Sequence, residues 1–230
     1  MTDQQQGMGY SVDIVMCIDG TGSMGHLIEE VKANALTFHE KFQEKMEIEG
    51  KGIGTLRIKI IVFRDYARDG EESMVETKFY TLPDENDEFS TFINSIEAKG
   101  GGDIPENGLE AIALALKSDW TTVPGKKRHV VLLFTDAPAL ALGERAGESG
   151  YPEGMPKDLA ELGDWWEGYS QNLDSSYSVK AGRLVVFAPS ASPWTEMEGW
   201  TRYWYQASSA GTGLTEVDMD EVFALLTGTM

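Results

Sequence analysis

Cysteine is almost absent from this chain. Among 230 residues there is one, Cys17, so no internal disulfide can form. A lone cysteine inside an apolar run reads as a small buried hydrophobe and fits a reducing compartment. Histidine is scarce as well: His26, His39 and His129 are the three, and their spacing is not that of a zinc site. Positive charge is short. Lys and Arg number 19 against 38 Asp and Glu, a formal net charge of −19. That balance argues against nucleic-acid binding and favours cations or basic partners. No apolar stretch approaches the roughly 18 residues of a membrane helix. Met1 to Gly9 is polar without an apolar core, so no secretory signal is expected and the reading is a soluble, cytoplasmic protein. Also missing are the Gly-x-x-x-x-Gly-Lys-Ser/Thr loop of phosphate binders and the Gly-x-Ser-x-Gly turn of serine hydrolases.

What is present reads as one domain, with residues 1–10 as a flexible lead and 11–230 as the folded unit. Val12–Ile18, Leu56–Phe63, His129–Phe134 and Arg183–Ala188 are continuous apolar runs, the pattern of strands buried on both faces. Between them lie amphipathic helices. Met24 to Met46 is expected as one long helix capped by Ser23, then Asp84–Ala98, Pro105–Leu116, Asp158–Tyr169 and Met219–Leu226. Val75–Thr81 should be an edge strand, Trp194–Ser208 a helix or partly helical, and Gly213–Val217 a short strand. Strands alternating with helices predict a Rossmann-like α/β/α sandwich. Its sheet would be mostly parallel and six-stranded, with one antiparallel edge strand.

In such a sheet the carboxyl ends of the parallel strands share one rim, where ligands bind. Asp19, Thr21 and Ser23 follow the first strand at alternate positions, with Gly20 and Gly22 between them. Asp65 follows the second strand, Asp136 the third and Ser190 the fourth, and the loop from Gly100 to Glu106 reaches the same rim. Carboxylates gathered this way repel one another unless a cation joins them. One carboxylate with two hydroxyls suits Mg²⁺, which takes few protein ligands and keeps several waters.

Asp19-x-Thr21-x-Ser23 before a long helix resembles the metal-ion-dependent adhesion site of von Willebrand factor A domains, whose usual pattern is Asp-x-Ser-x-Ser. Phe134-Thr135-Asp136-Ala137 resembles the family's last motif, commonly Thr-Asp-Gly. Asp103-Ile104-Pro105-Glu106 resembles the Asp-x-Pro-Glu run in the integrin β version of this domain. The resemblance spans Val12 to Leu226. It implies a Mg²⁺ or Mn²⁺ site, with Ca²⁺ possible, held by Asp19, Thr21, Ser23, Asp136 and either Glu106 or Asp103. Glu106 is favoured, and Asp103 is a candidate for a neighbouring site. It further implies one open metal position filled by a partner protein's carboxylate, and an affinity switch through the last helix. Intracellular bacterial members of the family serve in multi-protein systems, and that setting is what the resemblance implies for this chain. His26, Asp65, Ser190 and Trp194 are the residues expected to border that partner, with Leu140–Gly182 supplying specificity.

The rival reading is a metal-dependent phosphatase. Asp19-Gly20-Thr21 also resembles the haloacid-dehalogenase start Asp-x-Asp-Gly-Thr, but Cys17 stands where that family has its nucleophilic carboxylate. A binding module without catalysis is therefore the expectation.

Overall fold

The computed structural model describes residues 9–101 and 105–230. Its central strand is β1 (Tyr10–Asp19), flanked by β2 (Ile53–Phe63) and β5 (Lys127–Phe134), both parallel to it. Beyond β5 come β6 (Gly182–Pro189) and β7 (Tyr203–Ser208), again parallel. On the other side, β3 (Met74–Glu76) and β4 (Tyr80–Leu82) both run antiparallel to β2. The sheet thus has seven strands in the order β3-β2-β1-β5-β6-β7, with β4 also on β2.

Both faces of β1 are apolar. Ile14, Met16 and Ile18 pack under α1 (Gly25–Ala35), α2 (Phe38–Ile48), α4 (Asn86–Ser95) and α7 (Met219–Gly228). Val15 and Cys17 face α5 (Gly108–Leu116) and α6 (Leu159–Glu167) on the other side. The short α3 (Tyr66–Asp69) follows β2. This is the expected α/β/α sandwich, and two layers of helix over a parallel sheet explain why strands read as unbroken apolar runs.

The structure departs from expectation in five places. The edge is two strands rather than one, because Thr77 intervenes: its Oγ1 accepts a hydrogen bond from Ile60 N at 2.9 Å, taking a ladder position with a side chain. The long first helix is two. At the junction Thr37 N–H donates to Asn34 O at 3.2 Å, and the Asn34 side chain donates to Glu30 O at 2.8 Å. Such side-chain bonds compete with the helix ladder. Ser23 does not cap it; it lies in a 3-10 turn (Gly22–Met24), and its hydroxyl goes elsewhere. Tyr203–Ser208 is a strand on the outer edge, where alternating aromatics suit a pleated surface. Gly213–Val217 is a turn, with Gly213 and Leu214 both at positive φ.

Candidate metal site

The register of the parallel strands sets Asp19 beside Phe63, and Ile18 beside Phe134, which in turn pairs with Phe187. The residues that follow these positions therefore meet on one rim. Asp19 is fully buried. Its Oδ1 accepts from Thr21 N at 2.9 Å and Thr21 Oγ1 at 2.7 Å, and its Oδ2 from Thr135 Oγ1 at 2.7 Å. Thr21 Oγ1 lies 3.4 Å from Ser23 Oγ, and Ser23 Oγ donates to Asp136 Oδ1 at 3.0 Å. Asp136 Oδ2 accepts from Gly213 N at 2.7 Å. One continuous chain of oxygens thus joins the loops after β1 and β5 to the turn before α7. Ser23 is exposed, whereas Asp19, Thr21 and Asp136 are buried.

Glu106 lies near this chain, in the loop before α5. Its backbone is clamped to the segment after Asp136, with Glu106 N donating to Pro138 O at 3.1 Å and Leu140 N to Glu106 O at 2.8 Å. Its Oε1 lies 3.1 Å, and Thr21 Cγ2 2.7 Å, from where a Cβ on Gly101 would stand, so only glycine leaves both in place. Its Oε2 is buried and has no hydrogen-bond partner. Burial first, then the charges of Asp19, Asp65, Asp69 and Asp136, pushes the Glu106 carboxyl up to about 9. Burial also pushes Asp19 up to about 6, against the pull of its Thr21 and Thr135 hydrogen bonds. Both carboxyls are thus harder to ionise than usual, as burial beside other acids dictates.

Arg64 sets the geometry underneath. It is buried and spends its guanidinium on backbone carbonyls: Nε on Gly20 O (3.0 Å) and Lys99 O (2.9 Å), Nη1 on Glu72 O (2.9 Å) and Nη2 on Glu97 O (2.9 Å). It thereby ties the first loop to the middle one. Gly20 permits this, because an added Cβ would sit 2.7 Å from Arg64 Cζ.

The remaining expected residues differ in exposure. Asp103 lies outside the described residues. His26 and Ser190 are exposed. Trp194 is 1% exposed: its ring packs on Gly108 and its Nε1 donates to Ala137 O at 3.0 Å, so it braces the site from inside and offers a partner nothing. Asp65 is equally closed, with Arg145 Nε on Oδ1 at 2.8 Å and Nη2 on Oδ2 at 3.1 Å. Arg64, Arg145 and Gly213 make contacts at the rim that sequence reasoning missed. The one visible signal was Arg64-Asp65 at a strand's carboxyl end. The others depend on loop contacts between distant segments.

Among the described residues, no three or more His, Cys, Asp and Glu side chains form a ready cage. The donors are mixed, carboxylates with hydroxyls, as a hydrated hard cation accepts. The phosphatase reading finds no nucleophile in Cys17, whose thiol is buried, pushed up by that burial, and turned toward Ala111 O at 3.7 Å.

Comparison with known proteins agrees with the fold. The family model described as von Willebrand factor A domain matches residues 73–144, a stretch that holds Glu106 and Asp136 but not the Asp19 loop. The alpha-protein kinase vwkA of Dictyostelium discoideum is 27% identical over 148 residues, covering 64% of this chain and 22% of the kinase. The pilus adhesin SpaC from Lactobacillus rhamnosus GG, in its open conformation, superposes with a TM-score of 0.50 at 12% identity, over 96% of this chain and 30% of the adhesin. A second SpaC structure gives 0.54 at 12% identity, over 97% and 31%. At such identity the likeness is one of fold: a mostly parallel sheet flanked by helices. The chain spans less than a third of each of these proteins.

Proposed function

We propose that this chain is a von Willebrand factor A domain that binds a partner protein through a divalent cation and carries out no catalysis. The observation that carries the reading is Glu106: a buried carboxylate with one unpartnered oxygen, set beside Thr21 and near four further acids. Asp19, Thr21, Ser23, Asp136 and Glu106 would hold Mg²⁺ or Mn²⁺, and the bound ion would offer an open position to a partner's carboxylate. The protein's own part is to orient these oxygens. Thr135 and the Thr21 amide fix both oxygens of Asp19, Gly213 fixes Asp136, and Arg64 fixes the loop backbones. A chain with a net charge of −19 would otherwise repel an acidic partner, and a cation between them removes that obstacle. The Gly213 contact links the site to the turn before α7, which supports a role for that helix in switching affinity. The lone buried cysteine supports a cytoplasmic setting. Among the described residues, no helix is long and apolar enough to cross a membrane.

The test uses Mn²⁺ as probe. Titration should give one tight ion per chain, lost in Asp19→Ala. Water-proton relaxation by the bound Mn²⁺ should fall when acetate is added, as the carboxylate displaces water. Unchanged relaxation would remove the partner-carboxylate reading, and an Asp19→Ala variant that still binds would remove the site.

A further inference from the structure

The amino-terminal edge of the sheet, at the opposite end of the strands from the metal rim, carries charge of the scarce sign. Tyr10 of β1, Arg128 of β5, Arg183 of β6 and Trp204 of β7 lie on adjacent strands. The register puts them on one face: Arg128 pairs with Val12, Arg183 with Val130 and Trp204 with Val185, and all three valines belong to the same core layer. Tyr10 stands two residues before Val12 and so shares that face. The row crosses four strands, about 14 Å at a strand spacing of about 4.8 Å. All four residues are half-buried.

Cations sit on the rings of this row. Arg128 Cζ lies 4.9 Å from the Tyr10 ring centroid, and Nζ of the exposed Lys126 lies 5.4 Å from the same centroid. Arg183 Cζ lies 5.9 Å from the Trp204 centroid. Acids outnumber bases 38 to 19 in this chain, yet none of these three cations forms an ion pair among the described residues. The guanidiniums donate to backbone carbonyls instead: Arg128 Nη1 to Lys127 O at 2.8 Å, and Arg183 Nε to Thr229 O and Nη1 to Gly182 O, each at 2.6 Å. Arg128 Nε is buried and has no hydrogen-bond partner. Burial, and then the positive charges of Arg128 and Arg202, lower the pKa of Arg183, in keeping with a local excess of positive charge.

We propose that this edge is a docking site, separate from the metal rim, for an acidic stretch of a partner polypeptide, whose carboxylates pair with Lys126, Arg128 and Arg183. The inference goes beyond the metal reading and does not depend on it. A guanidinium matches a carboxylate as a planar fork, and a ring stacked beside it holds the plane in place. Arg128 precedes Phe134 by six residues, about 20 Å at a rise of about 3.3 Å per residue, and a Debye length of about 8 Å isolates the edge from the acids of the rim. A short acidic segment can therefore bind here without meeting the rest of the −19 surface. Nucleic acid fits less well: duplex DNA carries a charge about every 1.7 Å and runs beyond so narrow a row onto acidic surface.

The experiment follows fluorescein-labelled hexaglutamate by fluorescence anisotropy on the whole chain, at low salt and in EDTA. Wild type should bind the peptide, and Lys126→Gln/Arg128→Gln should bind it at least about tenfold more weakly. Those two side chains reach only the Tyr10 ring and one neighbouring carbonyl, so the variant should melt as wild type does. Lys32→Gln/Lys78→Gln removes the same charge elsewhere and should bind like wild type. A wild type that does not bind hexaglutamate overturns the proposal, as does an equal loss in Lys32→Gln/Lys78→Gln. Tighter binding of a single-stranded oligothymidylate or of phosphatidylserine vesicles, lost in Lys126→Gln/Arg128→Gln, would assign the edge to nucleic acid or lipid and overturn it too. EDTA keeps the metal rim out of the measurement, so failure here leaves the metal reading standing.

Discussion

At the scale of single residues, the unusual feature is a pair of buried acids that resist ionisation. Glu106 takes its proton at about 9 in the folded chain against an ordinary 4.5. Between those values the folded state binds more protons than the unfolded one, so unfolding free energy falls as pH rises. Asp19 adds the same sign up to about 6. His129 works the other way. Its ring is buried, stacked 4.9 Å from Trp120, with Ser178 N donating to Nδ1 and Nε2 at 3.1 Å from Thr121 O. Burial lowers its pKa to about 4, so it contributes stability that is lost as pH falls from 6.5 toward 4. From pH 6.5 to 8 Glu106 therefore contributes to the slope, and Glu110, raised by its own burial, adds the same sign. Denaturant melts in EDTA should show stability declining there by up to about 1.4 kcal/mol per pH unit. Glu106→Gln should flatten the decline. A wild type with no slope, or a variant that keeps it, would contradict the buried-acid account. Metal should reverse the dependence, since it binds the ionised carboxylates and releases their protons.

At the scale of elements, the site depends on glycines and an arginine that hold loops together. Gly20→Ala would force its methyl to within 2.6 Å of Val62 Cγ1 and displace Arg64. A loss of roughly 1–3 kcal/mol is expected, together with weaker Mn²⁺ binding. A variant as stable and as tight as wild type would show that the Arg64 clamp does not set the site. In the helix layer that covers Ile14 and Ile18, Phe223 of α7 meets Phe38 edge-on at 4.9 Å and Phe42 at 6.5 Å. Phe223→Ala should cost about 3–5 kcal/mol in urea unfolding. A loss under about 1 kcal/mol would mean α7 is weakly docked.

Most of this scaffold is legible in the sequence. The parallel core strands announce themselves because burial on both faces leaves no polar positions in their runs. The Asp19 loop is legible because its oxygens are local, within five residues. What was not legible is long-range. Nothing near Trp194 says that its indole turns inward onto Ala137 O, 57 residues away. Nothing near Asp65 announces Arg145, 80 residues on. The split edge strand and the divided first helix were missed because Thr77 and Asn34 place side chains where the pattern assumes backbone bonds.

At the scale of the whole molecule, a net charge of −19 on 230 residues favours expansion by self-repulsion. Salt screens that repulsion, so NaCl from 0.05 to 0.5 M should raise the melting temperature of the metal-free chain, as the Debye length shrinks from roughly 14 to 4 Å. A falling melting temperature would show that the acidic surface is paired rather than repelling. This general effect must be separated from binding at the rim. The most direct test is thermal unfolding at fixed ionic strength, with Mn²⁺ at about a hundred times its dissociation constant or with EDTA, for wild type and Asp19→Ala. Wild type should gain about 2.7 kcal/mol with the metal and Asp19→Ala should gain nothing. Equal stability of wild type with and without Mn²⁺, or an equal gain in both proteins, would contradict a metal site on this rim.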